Sequence, residues 1–157
     1  MVKRLDERSA WPDHIGWRLW EASRTWQREF VAEMRKAGHP WFTDARATLM
    51  GHIARRGTRQ ADLIERMGIT KQAVQQLIDG LEAEGVLARM PDPRDRRGRI
   101  VVHTEKGLSA LRDSNDVKKK IEERYRRLLG EERFKALSDA LKHLLPATEK
   151  DPDKTSA

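Results

Sequence analysis

The chain has 157 residues, enough for one domain with a substantial core and too few for two ordinary ones. Its 32 Lys and Arg against 25 Asp and Glu give a formal charge of +7, an excess that suits a polyanionic partner, nucleic acid being the commonest. With no cysteine, it has no disulfide, thiolate zinc site, iron–sulfur cluster or thiol redox sensor. Residues 1–10 carry Lys3, Arg4 and Arg8 without the apolar stretch of a signal peptide. Apolar runs elsewhere fall far short of the roughly 20 residues that span a bilayer, so a cytoplasmic protein is expected.

Helical periodicity dominates the first third. Between His14 and Lys36 the residues Ile15, Leu19, Ala22, Trp26, Phe30 and Met34 recur every three or four positions, predicting one long amphipathic helix. Trp17, Trp20 and Val31 widen its apolar side, and Gly38-His39-Pro40 ends it. Thr43 suits the N-cap of a second helix with Leu49, Met50 and Ile53 inside, ending near Gly57. A short helix is then expected from Thr58 to Met67. Gly68-Ile69-Thr70 forms a turn, and Thr70 caps a helix that runs to about Glu84. This pair reads as a helix-turn-helix. Ala73, Val74, Leu77, Ile78 and Leu81 take the inner face of its second helix, leaving Lys71, Gln72, Gln75, Gln76 and Asp79 outside.

After Gly85 the period changes. Val86 to Arg89 and Arg99 to His103 read as short strands, and Pro91 to Gly98 as a charged, turn-rich hairpin tip. Thr104 opens a long charged helix through Leu129, whose Lys118-Lys119-Lys120 reads as a solvated face. Gly130 breaks it, and a last amphipathic helix carries Phe134, Leu137, Leu141, Leu144 and Leu145 up to Pro146. The expected fold is therefore mainly α with a small β-wing, a winged helix-turn-helix between outer helices.

Two segments resemble the MarR (multiple-antibiotic-resistance regulator) family. The run from Gln60 to Thr70 followed by Leu81-Glu82-Ala83-Glu84-Gly85 looks like its helix-turn-helix. The run from Asp92 to Gly107 is similar to its wing signature, Asp-Pro-x-Asp-x-Arg followed by a strand ending Val-x-Leu-Thr-x-x-Gly. The similarity spans about Thr43 to Leu111, and the outer helices fit by length and order only. The resemblance implies a DNA-binding transcriptional regulator, a repressor released by a small aromatic or phenolic effector. A winged-helix protein-interaction module without specific DNA binding is the alternative.

A helix about 10–12 Å across fits the major groove, so Thr70, Lys71, Gln72, Gln75 and Gln76 are the expected base and phosphate contacts. Five arginines and two aspartates lie between Arg89 and Arg99. By resemblance Arg97 enters the minor groove and Asp95 pairs with it to hold the loop, while Arg94, Arg96 and Arg99 meet phosphate. The competing reading is that these arginines only pair internally with Asp92 or Asp95.

The family also implies a homodimer on a pseudo-palindromic operator, its outer helices interleaved between subunits. Residues 11–40 are then an N-terminal dimerisation helix, 43–104 the winged helix-turn-helix, 105–146 the C-terminal helices that complete dimerisation, and 147–157 a disordered tail. Ile15, Leu19, Phe134, Leu137, Leu141 and Leu144 are the interface candidates. By the same resemblance an effector lies in a cleft lined by the first, second and fifth helices, with Trp20, Arg24, Met50, His52 and His103 as candidate contacts. Core packing is the competing role for each tryptophan. His103 stands where the family pattern has Leu, so a packed core histidine competes with a ligand contact. No enzyme is expected, for the chain has no phosphate loop, His-Glu-x-x-His or Gly-x-Ser-x-Gly. Its histidines, His14, His39, His52, His103 and His143, are never at metal-ligand spacing, so neither metal nor cofactor is expected.

Overall fold

The computed structural model describes residues 14–144, so the expected tail and the extreme N-terminus lie outside it. Helix α1 (Ile15–Lys36) starts at His14, whose Nδ1 accepts the Trp17 N–H at 3.2 Å, and ends with Arg35 and Lys36 where the helix dipole favours cations. Helix α2 (Asp44–Gly51) is capped by Thr43 as expected, but stops well before Gly57. The hydroxyl of Thr58 accepts the Ala54 N–H at 2.9 Å and donates to the His52 carbonyl at 3.3 Å, closing a loop that competes with another helical turn. Gly57 then passes against Ile100 and Val102 at φ +92°, where a Cβ would stand 2.6 Å from Ile100 Cγ2.

Thr58–Arg59 forms a two-residue strand β1 rather than the start of a helix, and α3 (Gln60–Met67) begins after it. Gly68, at φ +62°, turns the chain into α4 (Lys71–Ala83), which Thr70 caps by accepting the Ala73 N–H at 3.2 Å. The wing strands outrun their expected lengths: β2 covers Leu87–Asp92 and β3 covers Asp95–His103, with only Pro93-Arg94 between them. Pairing runs from Leu87↔His103 to Pro91↔Arg99, then through a register shift to Asp92↔Asp95. The antiparallel sheet has the order β1-β3-β2.

Helix α5 (Glu105–Leu129) leaves β3 through the Thr104 cap, and α6 (Glu131–Leu144) folds back after Gly130. Gly107 is required at the start of α5, because a Cβ there would meet the Val86 carbonyl at 2.3 Å. The core draws on every helix except α6 and on strands β2 and β3. Met34, Leu49, Leu63, Val74, Ile78, Leu81, Val86 and Val101 are fully buried. Each such side chain contributes about 1.5–3 kcal/mol of burial, so helix α4 is seated by its own apolar face. His39, in the α1–α2 connection, bonds Asp113 of α5 at 2.8 Å, and Glu29 of α1 pairs with Arg124. Helix α6 buries no residue. Its Leu137, Leu141 and Leu144 are exposed, as are Ile15, Trp17 and Leu19 of α1, and together they leave unsatisfied apolar surface.

Candidate nucleic-acid interface

The outward face of α4 is set by its buried one. With Val74, Ile78 and Leu81 fully inside, Thr70, Lys71, Gln72 and Gln76 are exposed and Gln75 is half-buried. Among the described residues, none of the Lys71, Gln72, Gln75 and Gln76 side chains has a hydrogen-bond or ion-pair partner. Three amides and an ammonium thus line one helix face with their bonding capacity uncommitted.

The wing is held by its aspartates, not by its exposed arginines. Asp92 is buried; its Oδ1 accepts the Arg94 N–H at 2.9 Å and its Oδ2 pairs with Arg59 of β1 at 3.0 Å. Asp95 accepts the Arg97 N–H at 2.9 Å. The carboxylate therefore fixes the backbone of Arg97 and leaves its guanidinium free, where the resemblance led us to expect a side-chain pair. Gly98 threads between the two, since a Cβ would stand 3.0 Å from that of Asp92 and 3.2 Å from that of Asp95. Arg99 donates only to the Gly98 carbonyl at 3.0 Å. Arg94, Arg96 and Arg97 pair with no carboxylate among the described residues. Internal pairing, the competing reading, absorbs Arg59 and Arg89 instead.

Arg89 and Arg59 are the positions that sequence reasoning passed over. Arg89, on β2, bonds the Gln60 carbonyl oxygen Oε1 at 3.1 Å and pairs with Asp79 and Glu82 of α4. No local pattern announces these contacts, because the partners lie far apart in the chain.

A cleft of about 380 Å³ opens between α1, α2 and α5. Trp26, Phe30, Phe42 and Met50 wall it, with Ser114 and Lys118 on the α5 side. Of the five effector candidates, Met50 lines this cleft. Trp20 and Arg24 sit on the exposed half of α1, the guanidinium 4.9 Å from the indole centroid and the indole stacked on Trp17 at 4.8 Å. His52 is the half-buried C-cap of α2.

His103 packs at the β3–α5 junction with its Nδ1 buried and unpartnered. Burial lowers its pKa below 6.5, opposed by the carbonyls of Ile53 and Met50. The unfolded chain then binds the proton more readily than the folded one. Stability is expected to fall as pH drops below about 6.5 toward the folded-state pKa. His103→Leu should flatten the melting temperature over that window; an unchanged slope would assign the acid sensitivity to other groups.

The MarR family model matches residues 42–98. No curated protein matches the sequence. Among solved structures, the transcriptional regulator Tm0710 from Thermotoga maritima is 28% identical over 82% of this chain and 92% of its own, with a TM-score of 0.57. The apo form of wild-type MarR from E. coli has the same fold at 20% identity, covering 85% of this chain and 98% of that one, with a TM-score of 0.72. The transcriptional repressor CouR, solved bound to a 23-mer DNA duplex, shares the fold at 24% identity, 83% and 92% coverage, and a TM-score of 0.64. Among the described residues, no helix is long and apolar enough to cross a membrane.

Proposed function

We propose that this chain, whose residues 42–98 match the MarR family model, is a homodimeric, non-enzymatic, cytoplasmic regulator that binds a pseudo-palindromic operator in double-stranded DNA. The observation that carries the reading is a pair of exposed, uncommitted side-chain sets on a helix-turn-helix and its wing. These are Lys71, Gln72, Gln75 and Gln76 of α4, and the guanidinia of Arg94, Arg96 and Arg97 on the wing, which pair with no carboxylate among the described residues. Thr70 and Lys71 meet phosphate, the glutamines read base edges, Arg97 enters the minor groove, and Arg94, Arg96 and Arg99 hold the backbone. The exposed apolar faces of α1 and α6 supply the pairing surface.

Fluorescence anisotropy tests this with duplexes recovered by selection from a random-sequence library, set against unrelated duplexes. Equal, weak binding to every duplex at moderate salt would overturn it in favour of a protein-interaction module. Gln76→Ala is expected to cost about 1–3 kcal/mol at one base position of the selected site. The same loss at every position would reassign Gln76 to the DNA backbone.

Regulation follows from the cleft. A flat aromatic acid fits walls of Trp26, Phe30 and Phe42, with the Lys118 ammonium, 5.5 Å from the Phe30 centroid, to meet its carboxylate. Helix α2 lines the cleft and also lies on α4, where Arg46 passes over Gly80. An effector that binds one placement of α2 better than another therefore biases the reading helix, and repression is relieved. Failure of every aromatic or phenolic acid to release the selected duplex would remove this part.

A further inference from the structure

Arg89 is the wing arginine that does not face outward. Its side chain is one-fifth exposed, and its guanidinium reaches three acceptors on the two helices of the helix-turn-helix: Gln60 at the start of α3, and Asp79 and Glu82 on α4. Its backbone N–H also donates to Glu82 Oε1 at 3.2 Å. Beyond Arg89 the strand has little else to hold it to α4, for Met90 and Pro91 are exposed. Farther along the same strand, the buried Asp92 pairs with Arg59 of β1, which ties the end of β2 to the far edge of the sheet and not to α4.

We infer that Arg89 is a positioning residue for DNA recognition, setting the distance and angle between the wing and the reading helix rather than touching DNA. The inference rests on the DNA-binding reading above. A planar fork suits this role, because several donors in fixed geometry restrain direction as well as distance, which a lysine ammonium does not. Arg89 also neutralises Asp79 and Glu82, the two carboxylates on α4 that would otherwise repel phosphate. Because α4 is seated by Val74, Ile78 and Leu81, and the wing keeps its Arg59–Asp92 tie to β1, loss of Arg89 loosens only the wing's angle to the helix.

The test is a pair of double-mutant cycles on the full chain with the selected duplex. In the Arg89→Ala background the affinity loss caused by Arg97→Ala shrinks roughly tenfold, because a wing no longer angled by α4 does not deliver that side chain. The loss caused by Gln76→Ala persists. Arg89→Lys restores only part of the Arg97 effect. Additive losses for Arg89 and Arg97 would overturn the inference and make Arg89 an independent contact. A lowered melting temperature with unchanged affinity of the folded protein would overturn it equally, as mere stabilisation. Failure to recover any preferred duplex would instead strike the DNA-binding reading itself.

Discussion

Urea denaturation of Ile78→Ala is expected to show a loss of about 2–5 kcal/mol, at protein concentration matched to the parent. Ile78 is fully buried on the inner face of α4, in the same cluster as Leu63, Val74, Leu81 and Val101, so truncation leaves a void beneath α4. A domain of this size commonly has about 5–15 kcal/mol in total, so the change takes a large fraction of it. Ile78→Val removes one methylene and should cost only about 0.5–1.5 kcal/mol, with DNA affinity retained. An unchanged midpoint for the alanine variant would mean that α4 is not seated on this cluster.

The second large effect falls on binding and leaves folding alone. Arg97→Ala removes a guanidinium with no carboxylate partner among the described residues, so the folded chain loses no ion pair. Its backbone N–H, held by Asp95, survives the substitution. A dimer carries the change twice, and about 1–3 kcal/mol per site gives about 2–6 kcal/mol on operator affinity where the sites act independently. Anisotropy titration with the selected duplex measures the loss, and gel filtration should report the same assembly as the parent. Full affinity in Arg97→Ala would show that this side chain never reaches DNA.

Much of the fold is legible because long helices repeat their pattern many times. Thr43, Thr70 and Thr104 mark real helix starts, Gly68 and Gly130 mark real stops, and Val74, Ile78 and Leu81 fall inside as their spacing requires. The misses have physical causes. Ile53 is buried at helical spacing from Leu49 and Met50 although the backbone has already turned, so side-chain period alone overextends α2. Strand β1 has two residues, too few to alternate. The wing strands reach into a polar stretch because an exposed hairpin needs backbone pairing, not an apolar face, to continue. In the candidate interface, residue types and turn signals point to α4 and the wing. The moorings by Arg59 and Arg89 stay hidden because they are long-range. Aromatic residues occur on both sides of α1, and only packing separates Trp26 and Phe30, which line the cleft, from Trp17 and Trp20, which do not.

The Gly98 passage between Asp92 and Asp95 divides the hairpin tip into two kinds of position. Three letters, 92, 95 and 98, are scaffold: a larger residue at 98 crowds both aspartates and makes them shift, and loss of either carboxylate frees the amide it anchors. Letters 94, 96 and 97 project outward with no partner to offend. Substitutions at those three change what the tip presents without disturbing its backbone, whereas the others are fixed, even though the whole tip looks equally solvent-washed.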